Sequence, residues 1–302
     1  MSILIDAGTR VLVQGITGRE GSFWTGHMVA LGTKVVAGAT PNKEGQVCCG
    51  APVYHSVRRA LESHPADATM VFVPPRFALD AVMEALDNGI RLIVTLADGI
   101  PLHDQARIRA AAVYHGARVI GGNTSGIISP GKAMMGSLPY WIKRVYKPGR
   151  IGIMTRSGSL TNEVTAIVVS SGFGVSSLIG VGGDPIPGTR FAQLLDDFEA
   201  DSQTDAVVLI GELGGTMEEE AAEALQAKRF SKPLVAFLCG RTAPPGTRMG
   251  HAGAVINGTR GTVDHKTKVL ENAGARVALR PREVGALLGA LLGQRDSDGG
   301  LL

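Results

Sequence analysis

Cysteine is scarce in this chain, and its placement excludes two common uses of the residue. Cys48, Cys49 and Cys239 are the whole complement among 302 residues. Neighbours such as Cys48 and Cys49 make a strained disulfide, and three cysteines so placed give neither a disulfide framework nor a zinc-ligand spacing. No metal site is expected, and a reducing cytoplasm is. Long apolar runs are lacking too: nothing approaches the roughly 18 residues of a membrane span. The start, MSILIDAGTRVLVQG, has no basic region followed by an apolar stretch, so a soluble, unexported protein with no membrane partner is expected. Net charge is also small. At +3 it argues against a nucleic-acid partner and suits anionic metabolites. A Walker A lysine motif is missing, so a nucleoside triphosphate must be bound elsewhere if one is used.

What is present is apolar sequence in short pieces. Hydrophobic residues make up 44% of the chain, enough for two cores. Runs rich in Val, Ile and Leu alternate with amphipathic stretches one helix long, the pattern of a parallel sheet covered on both faces. Strands are predicted at residues 10–14, 34–39, 68–73, 92–96 and 117–120, with helices at 77–88 and 102–115 between them. Residues 121–149 lose this periodicity among Gly, Ser and Pro, as at a domain boundary. A second series follows, with strands at 150–155, 176–181, 205–210 and 233–239 and helices at 159–171, 189–200, 217–228 and 283–292. The expected fold class is α/β, a Rossmann-like domain followed by a flavodoxin-like doubly wound parallel sheet. Domain limits are set at 1–130 and 146–302, with a linker at 131–145.

Three loops carry candidate chemistry. The first strand runs into Gly15-Ile16-Thr17-Gly18-Arg19-Glu20-Gly21, where a strand-loop-helix junction can offer backbone N–H groups to a phosphate. Its spacing is G-x-x-G-x-x-G rather than the dinucleotide G-x-G-x-x-G. After the second strand, where an NAD site carries an acid, the chain reads GATPNK. Lys43 there suits a ligand with an extra phosphate, either coenzyme A or NADP. In the second half, Arg156-Ser157-Gly158-Ser159-Leu160-Thr161 reads as a capped helix start and a second anion site. Glu212 stands just past the predicted strand 205–210, at the carboxyl edge where open α/β folds build their sites. Last, RMGHAGAVING sets His251 among glycines, which allow close approach of a ligand to the ring. A carboxylate such as Glu212 could accept one imidazole N–H and leave the other nitrogen as nucleophile.

These residues occur within a longer ordered set: MSILID, QGITGREG, TPNK, the VPP of residues 73–75, DGIP, SPGK, RSGSLTNE, GVGGDPIPG, IGELGG and TAPPGTRMGHAG. Over nearly its whole length the chain is similar to the succinyl-CoA synthetase α subunit, of the NDP-forming acyl-CoA synthetase superfamily. That resemblance implies coenzyme A held by Thr17, Gly18, Arg19, Glu20, Lys43, Leu96, Ala97 and Asp98. It implies phosphorylation of His251, orientation of its ring by Glu212, and a phosphoryl site at Ser157, Gly158 and Ser159. It further implies an ATP-grasp β subunit holding Mg²⁺ and ATP or GTP, in an αβ or α2β2 assembly.

Two departures bear on the acid. Where succinyl-CoA synthetases usually read GPNCPG, this chain reads GGNTSG at residues 121–126. Asn162 stands where they usually carry a pocket tyrosine, which opens volume and adds an amide. The TNE here resembles the SNE of ATP citrate lyase, and the small subunit of citryl-CoA synthetase is also similar. Succinate and citrate are the expected substrates, with malate a third. Two rival classes differ in what they leave idle: an NADP-dependent oxidoreductase gives His251, Glu212 and the Ser157 helix no task, and a non-catalytic CoA-binding module would not need an intact GHAG loop.

Overall fold

The computed structural model describes residues 2–243, 251–254 and 261–293. They form two compact units. The N-terminal unit comprises Ser2–Pro139 and Ile179–Arg190, and the C-terminal unit comprises Tyr140–Leu178 and Phe191–Leu302.

In the N-terminal unit, β1 (Arg10–Gln14), α1 (Arg19–Leu31), β2 (Lys34–Ala39), β3 (Val47–Cys48), β4 (Ala51–Tyr54), α2 (Val57–Leu61), β5 (Ala68–Val71), α3 (Ala78–Asp87), β6 (Leu92–Thr95), α4 (Leu102–Tyr114) and β7 (Arg118–Ile120) follow one another. The sheet order is β3-β4-β2-β1-β5-β6-β7, and only β3 runs antiparallel to its neighbour. Pairing of Val13 with Gly38 on one side and with Met70 on the other brings the carboxyl ends of β2, β1 and β5 to one edge. Helices cover the faces because their apolar residues recur at helical spacing. In α3, Ala78, Leu79, Ala81, Val82, Ala85 and Leu86 are buried in a core shared with Leu12, Val71 and Ile93. Gly32, at φ 115°, closes α1 by donating its N–H to the last-turn carbonyls, a conformation that favours glycine.

Residues 121–149 hold more structure than their composition suggests. Buried strands β8 (Gly126–Ser129) and β9 (Ala133–Gly136) make an antiparallel hairpin, so one of its strands, β9, lies inside the stretch 131–145 expected as linker. Glycine permits the pairing: a Cβ on Gly126 would lie 2.2 Å from the Met135 carbonyl oxygen. The GVGGDPIPG run also departs from the expected 146–302 domain. Residues 179–190 return to the N-terminal unit, where Gly188 N–H donates to Gly121 O at 3.0 Å and Thr189 Oγ1 to Val119 O at 2.9 Å.

The C-terminal unit contains β10 (Pro148–Thr155), α5 (Gly158–Ser170), β11 (Val175–Gly180, which runs into the returning segment), α6 (Phe191–Ala200), β12 (Ala206–Glu212), α7 (Met217–Gln226), β13 (Leu234–Cys239), α8 (Val263–Asn272), β14 (Arg276–Ala278) and α9 (Glu283–Leu292). Strand order runs β14-β13-β12-β10-β11. Parallel registers pair Thr155 with Ile210 and Glu212 with Cys239, so β10, β12 and β13 end together. Apolar periodicity does not mark α8, because its buried face is Val263, Lys266, Thr267 and Leu270. Among the described residues, no helix is long and apolar enough to cross a membrane.

Candidate functional site

The C-terminal edge of the second sheet gathers buried charge. Glu212, the last residue of β12, is 8% exposed, and its Oε2 lies 2.7 Å from Nδ1 of His251. A carboxylate there accepts the Nδ1–H, which fixes the tautomer and puts the ring's lone pair on Nε2. Ala254 N–H donates to His251 O at 3.1 Å, closing a turn just after the histidine. Arg248, Met249 and Gly250 before the histidine, and residues 255–258 after it, lie outside the described residues.

Arg156 joins this pair to the start of α5. Its Nη2 is 3.1 Å from Glu212 Oε1, its Nη1 donates to Gly214 O at 2.8 Å, and the side chain is 2% exposed. The next residue is Ser157, whose Oγ accepts the Leu160 N–H at 3.3 Å as the helix cap. Thr155 Oγ1 accepts the Ser157 N–H at 3.0 Å, and the Thr161 hydroxyl donates to Ser157 O. Side chains thus hold the turn from both sides. The first-turn amides of Gly158 and Ser159 have no intrahelical acceptor and point along the axis with the positive end of the dipole, an arrangement suited to an anion. Among the described residues a Cβ on Gly158 would meet nothing within 4 Å.

Behind Glu212 lies a layer that residue types alone do not reveal. Lys266 is fully buried, and its Nζ donates to Glu212 O at 3.0 Å, to Gly214 O at 2.7 Å and to the Glu218 carboxylate. Glu218, also fully buried, accepts the Glu212 N–H at 3.1 Å. Burial by itself would raise the Glu218 pKa. Lys266 and Arg156 outweigh that, and the carboxyl is held below the usual range. Burial, with Glu212 close by, pushes the Cys239 thiol up. The signal for this layer is three consecutive acids at 218–220 beside IGELGG and a lysine on a helix face that is otherwise apolar.

Asn162 sits on α5 one turn past the helix start, half-buried. Its Oδ1 accepts a hydrogen bond from the Tyr146 hydroxyl at 2.5 Å. The amide carbonyl is therefore engaged, and what Asn162 offers a ligand is the Nδ2 donor. Tyr146 is buried, which pushes its pKa up and keeps the hydroxyl a donor.

The first glycine loop is built on different lines. Gly15 has φ 75° and packs so closely on β5 that a Cβ would lie 2.4 Å from Phe72 O, while a Cβ on Gly21 would lie 2.2 Å from Gly15 O. Only glycine lets α1 start this near the strand. Gly18 is the cap of α1 and brings no side chain to its first-turn amides. Two cavities open beside it. One, of about 590 Å³, is lined by Gly18, Arg19, Glu20, Leu96 and Ala97; the other, of about 510 Å³, by Thr17, Gly18, Thr40 and His55. Phe72, Val73 and Pro74 line both. Lys43 and Asp98 line neither, and each is exposed on a loop nearby. Backbone order places Lys43: its N–H donates to Thr40 O at 3.2 Å, and Asn42, at φ 61°, donates its N–H to His55 Nδ1 at 3.1 Å. His55, which both braces that turn and lines a cavity, has no motif to announce it.

Comparison with known proteins agrees with this division. Residues 6–99 match the family model described as the CoA binding domain, and residues 154–276 match that described as CoA-ligase. The chain is 67% identical to the ADP-forming sulfoacetate-CoA ligase subunit SauD of Bilophila wadsworthia, over 97% of this chain and 100% of that one. It is 49% identical to the succinate–CoA ligase [ADP-forming] subunit alpha 2 of Archaeoglobus fulgidus, over 97% and 100%. Among solved structures, the Methanosaeta concilii ATP citrate lyase in complex with (3S)-citryl-CoA superposes with a TM-score of 0.88 at 26% identity. That match covers 96% of this chain and 50% of the lyase, so the chain spans about half of it.

Proposed function

The chain belongs to the CoA-ligase family, that of the succinyl-CoA synthetase α subunits, and from that premise we propose that it is the α subunit of an ADP-forming sulfoacetate–CoA ligase. The observation that carries the chemistry is Glu212 on Nδ1 of His251. With that nitrogen engaged, Nε2 is the nucleophile. It takes the terminal phosphoryl of a nucleoside triphosphate held by a β subunit, and the bond to the leaving diphosphate oxygen breaks as N–P forms. The α5 amides of Gly158 and Ser159 receive the phosphoryl oxygens. An oxygen of the substrate carboxylate then attacks phosphorus, returning the electron pair to Nε2 and giving an acyl phosphate. Bound coenzyme A supplies the thiol that displaces phosphate at the acyl carbon. The uncapped α1 start at Gly18 and the two adjoining cavities fit it, with Thr17, Arg19, Glu20, Leu96 and Ala97 along the groove and Lys43 and Asp98 at its margins.

Sulfoacetate is preferred over succinate, citrate and malate because identity to the sulfoacetate enzyme's subunit is 67% against 49% for a succinate enzyme's. The Asn162 Nδ2 donor, with its carbonyl oxygen turned onto Tyr146, is suited to an oxygen of a sulfonate, which is a permanent anion and accepts only. The test is thioester formation by the chain reconstituted with its β partner and offered the four acids. A kcat/KM for sulfoacetate at least about tenfold above the others, a difference of 1.4 kcal/mol, is expected. Preference for another acid overturns the substrate. Absence of both thioester and protein phosphorylation overturns the ligase and leaves a CoA-binding module.

A further inference from the structure

Lys266 is a fully buried cation on a helix, and a buried ammonium is retained only where partners replace its water. One partner is a charge, the Glu218 carboxylate, and Glu219 Oε2 lies 3.7 Å away. The other two are backbone: the carbonyls of Glu212 and Gly214, at 3.0 and 2.7 Å. Charge balance alone would need only the carboxylates. The carbonyl bonds fall on the stretch where the chain leaves β12, and there Gly214 and Gly215 have φ of 80° and 65°. Two successive glycines in the left-handed region give this exit little stiffness of its own. Glu212 sits immediately before it, and its carboxylate meets His251.

We propose that Lys266 is a positioning residue for phosphoryl transfer, clamping the exit of β12 through two backbone carbonyls so that Glu212 keeps its place on the histidine ring. This rests on the reading of His251 as the phosphoryl carrier. A purely electrostatic role for Lys266 would make it dispensable once Glu218 is neutral. A clamp would not.

The experiment compares K266M, K266M/E218Q and E218Q in the full chain with its β partner, measuring the melting midpoint, the rate of His251 phosphorylation and the KM values for CoA and acid. Removing Lys266 alone leaves the buried Glu218 charge with Arg156 Nη1 at 3.6 Å as its remaining close cation and should lower the midpoint. The double variant removes both charges and should recover it. Phosphorylation should stay down by about 100-fold in the double variant, the scale of loss when a reacting group is misplaced by an ångström. Its KM values should be unchanged. E218Q keeps Lys266 on both carbonyls and an acceptor for the Glu212 N–H, so it should be phosphorylated at least about 30-fold faster than K266M/E218Q, a difference of about 2 kcal/mol. Recovery of phosphorylation together with stability in K266M/E218Q overturns the clamp. If the double variant melts below the assay temperature, loss in E218Q as deep as in K266M overturns it instead. A parent chain phosphorylated at a residue other than His251 sinks the carrier reading, and is distinguished by mapping the label before any variant is compared.

Discussion

The two βα junctions both leave helix amides open to an anion, and they are built by opposite means. At Gly15 to Gly21 the loop is nearly bare: glycines at the contacts, no side-chain cap, exposed Arg19 and Glu20, and open cavities on both sides. At Thr155 to Ser159 the turn is pinned by Thr155, Ser157 and Thr161, and charges 8% exposed or less stand behind it. A loop that binds and releases a large ligand can spread its energy over many modest, replaceable contacts. A loop serving a covalent carrier needs one nitrogen in one place, and buried ionic contacts give that because each is costly to leave half-made. The first junction should therefore fail gradually and the second abruptly.

The largest effect tests the abrupt side. His251→Asn removes the nucleophilic nitrogen while keeping a polar group of similar size, so phosphorylation by nucleotide and partner, and turnover with them, should fall to background. The parent adduct should be alkali-stable and acid-labile, as a phosphoramidate is. CoA binding should be unchanged in the variant, since the first junction lies in the other unit. Full labelling of His251→Asn would remove the residue from its role and the contrast between junctions with it.

A smaller effect tests the gradual side. Lys43 is exposed and lies outside both cavities, so its contact with a 3'-phosphate would be a single charge-assisted bond. Losing one such bond costs about 1.5 kcal/mol or more, hence Lys43→Ala should weaken CoA about tenfold and dephospho-CoA much less. Turnover at saturating CoA should persist. Equal weakening of both ligands would show that Lys43 does not meet the phosphate, and that the groove itself carries recognition.

How much of this was legible in the residues follows from what each feature needs. Long apolar runs on a parallel sheet are read directly, and β1, β2 and α9 begin and end where periodicity puts them. The candidate pair Glu212 and His251 is separated by 39 residues, yet residue type and strand end suggested it, because a carboxylate at the sheet's carboxyl edge can accept one imidazole N–H and leave the other nitrogen free. The hairpin of β8 and β9 escaped because its four-residue strands are set among glycines, which read as loop. The return of residues 179–190 escaped because close glycine contacts between distant segments leave no periodic trace. Lys266 hid α8 outright. A charge on the buried face breaks the apolar pattern by which helices are found, and its worth appears only once Glu218 and two carbonyls converge on it.

The smallest effect lies between the two extremes, at Asn162 and Tyr146. They belong to the pinned junction, but on the proposed function Asn162 meets the exchangeable acid, so they should behave like the first loop. Tyr146→Phe keeps the volume and removes the hydroxyl that donates to the Asn162 carbonyl. The amide can then rotate and present an acceptor to an anionic oxygen. A neutral hydrogen bond contributes about 0.5 to 1.5 kcal/mol net, so KM for the acid should rise roughly 2- to 10-fold, with kcat and KM for CoA unchanged. Asn162→Tyr alters volume as well. It should shift the kcat/KM ratio toward succinate, because a site that hydrogen-bonds a substrate group discriminates against analogues lacking it. Measuring sulfoacetate, citrate and malate against succinate in both variants separates orientation from volume. If neither variant moves the ratio, selectivity resides in the partner subunit; if Tyr146→Phe lowers kcat as far as His251→Asn does, the acid contact is as rigid as the carrier and the distinction between binding and covalent surfaces fails at this edge.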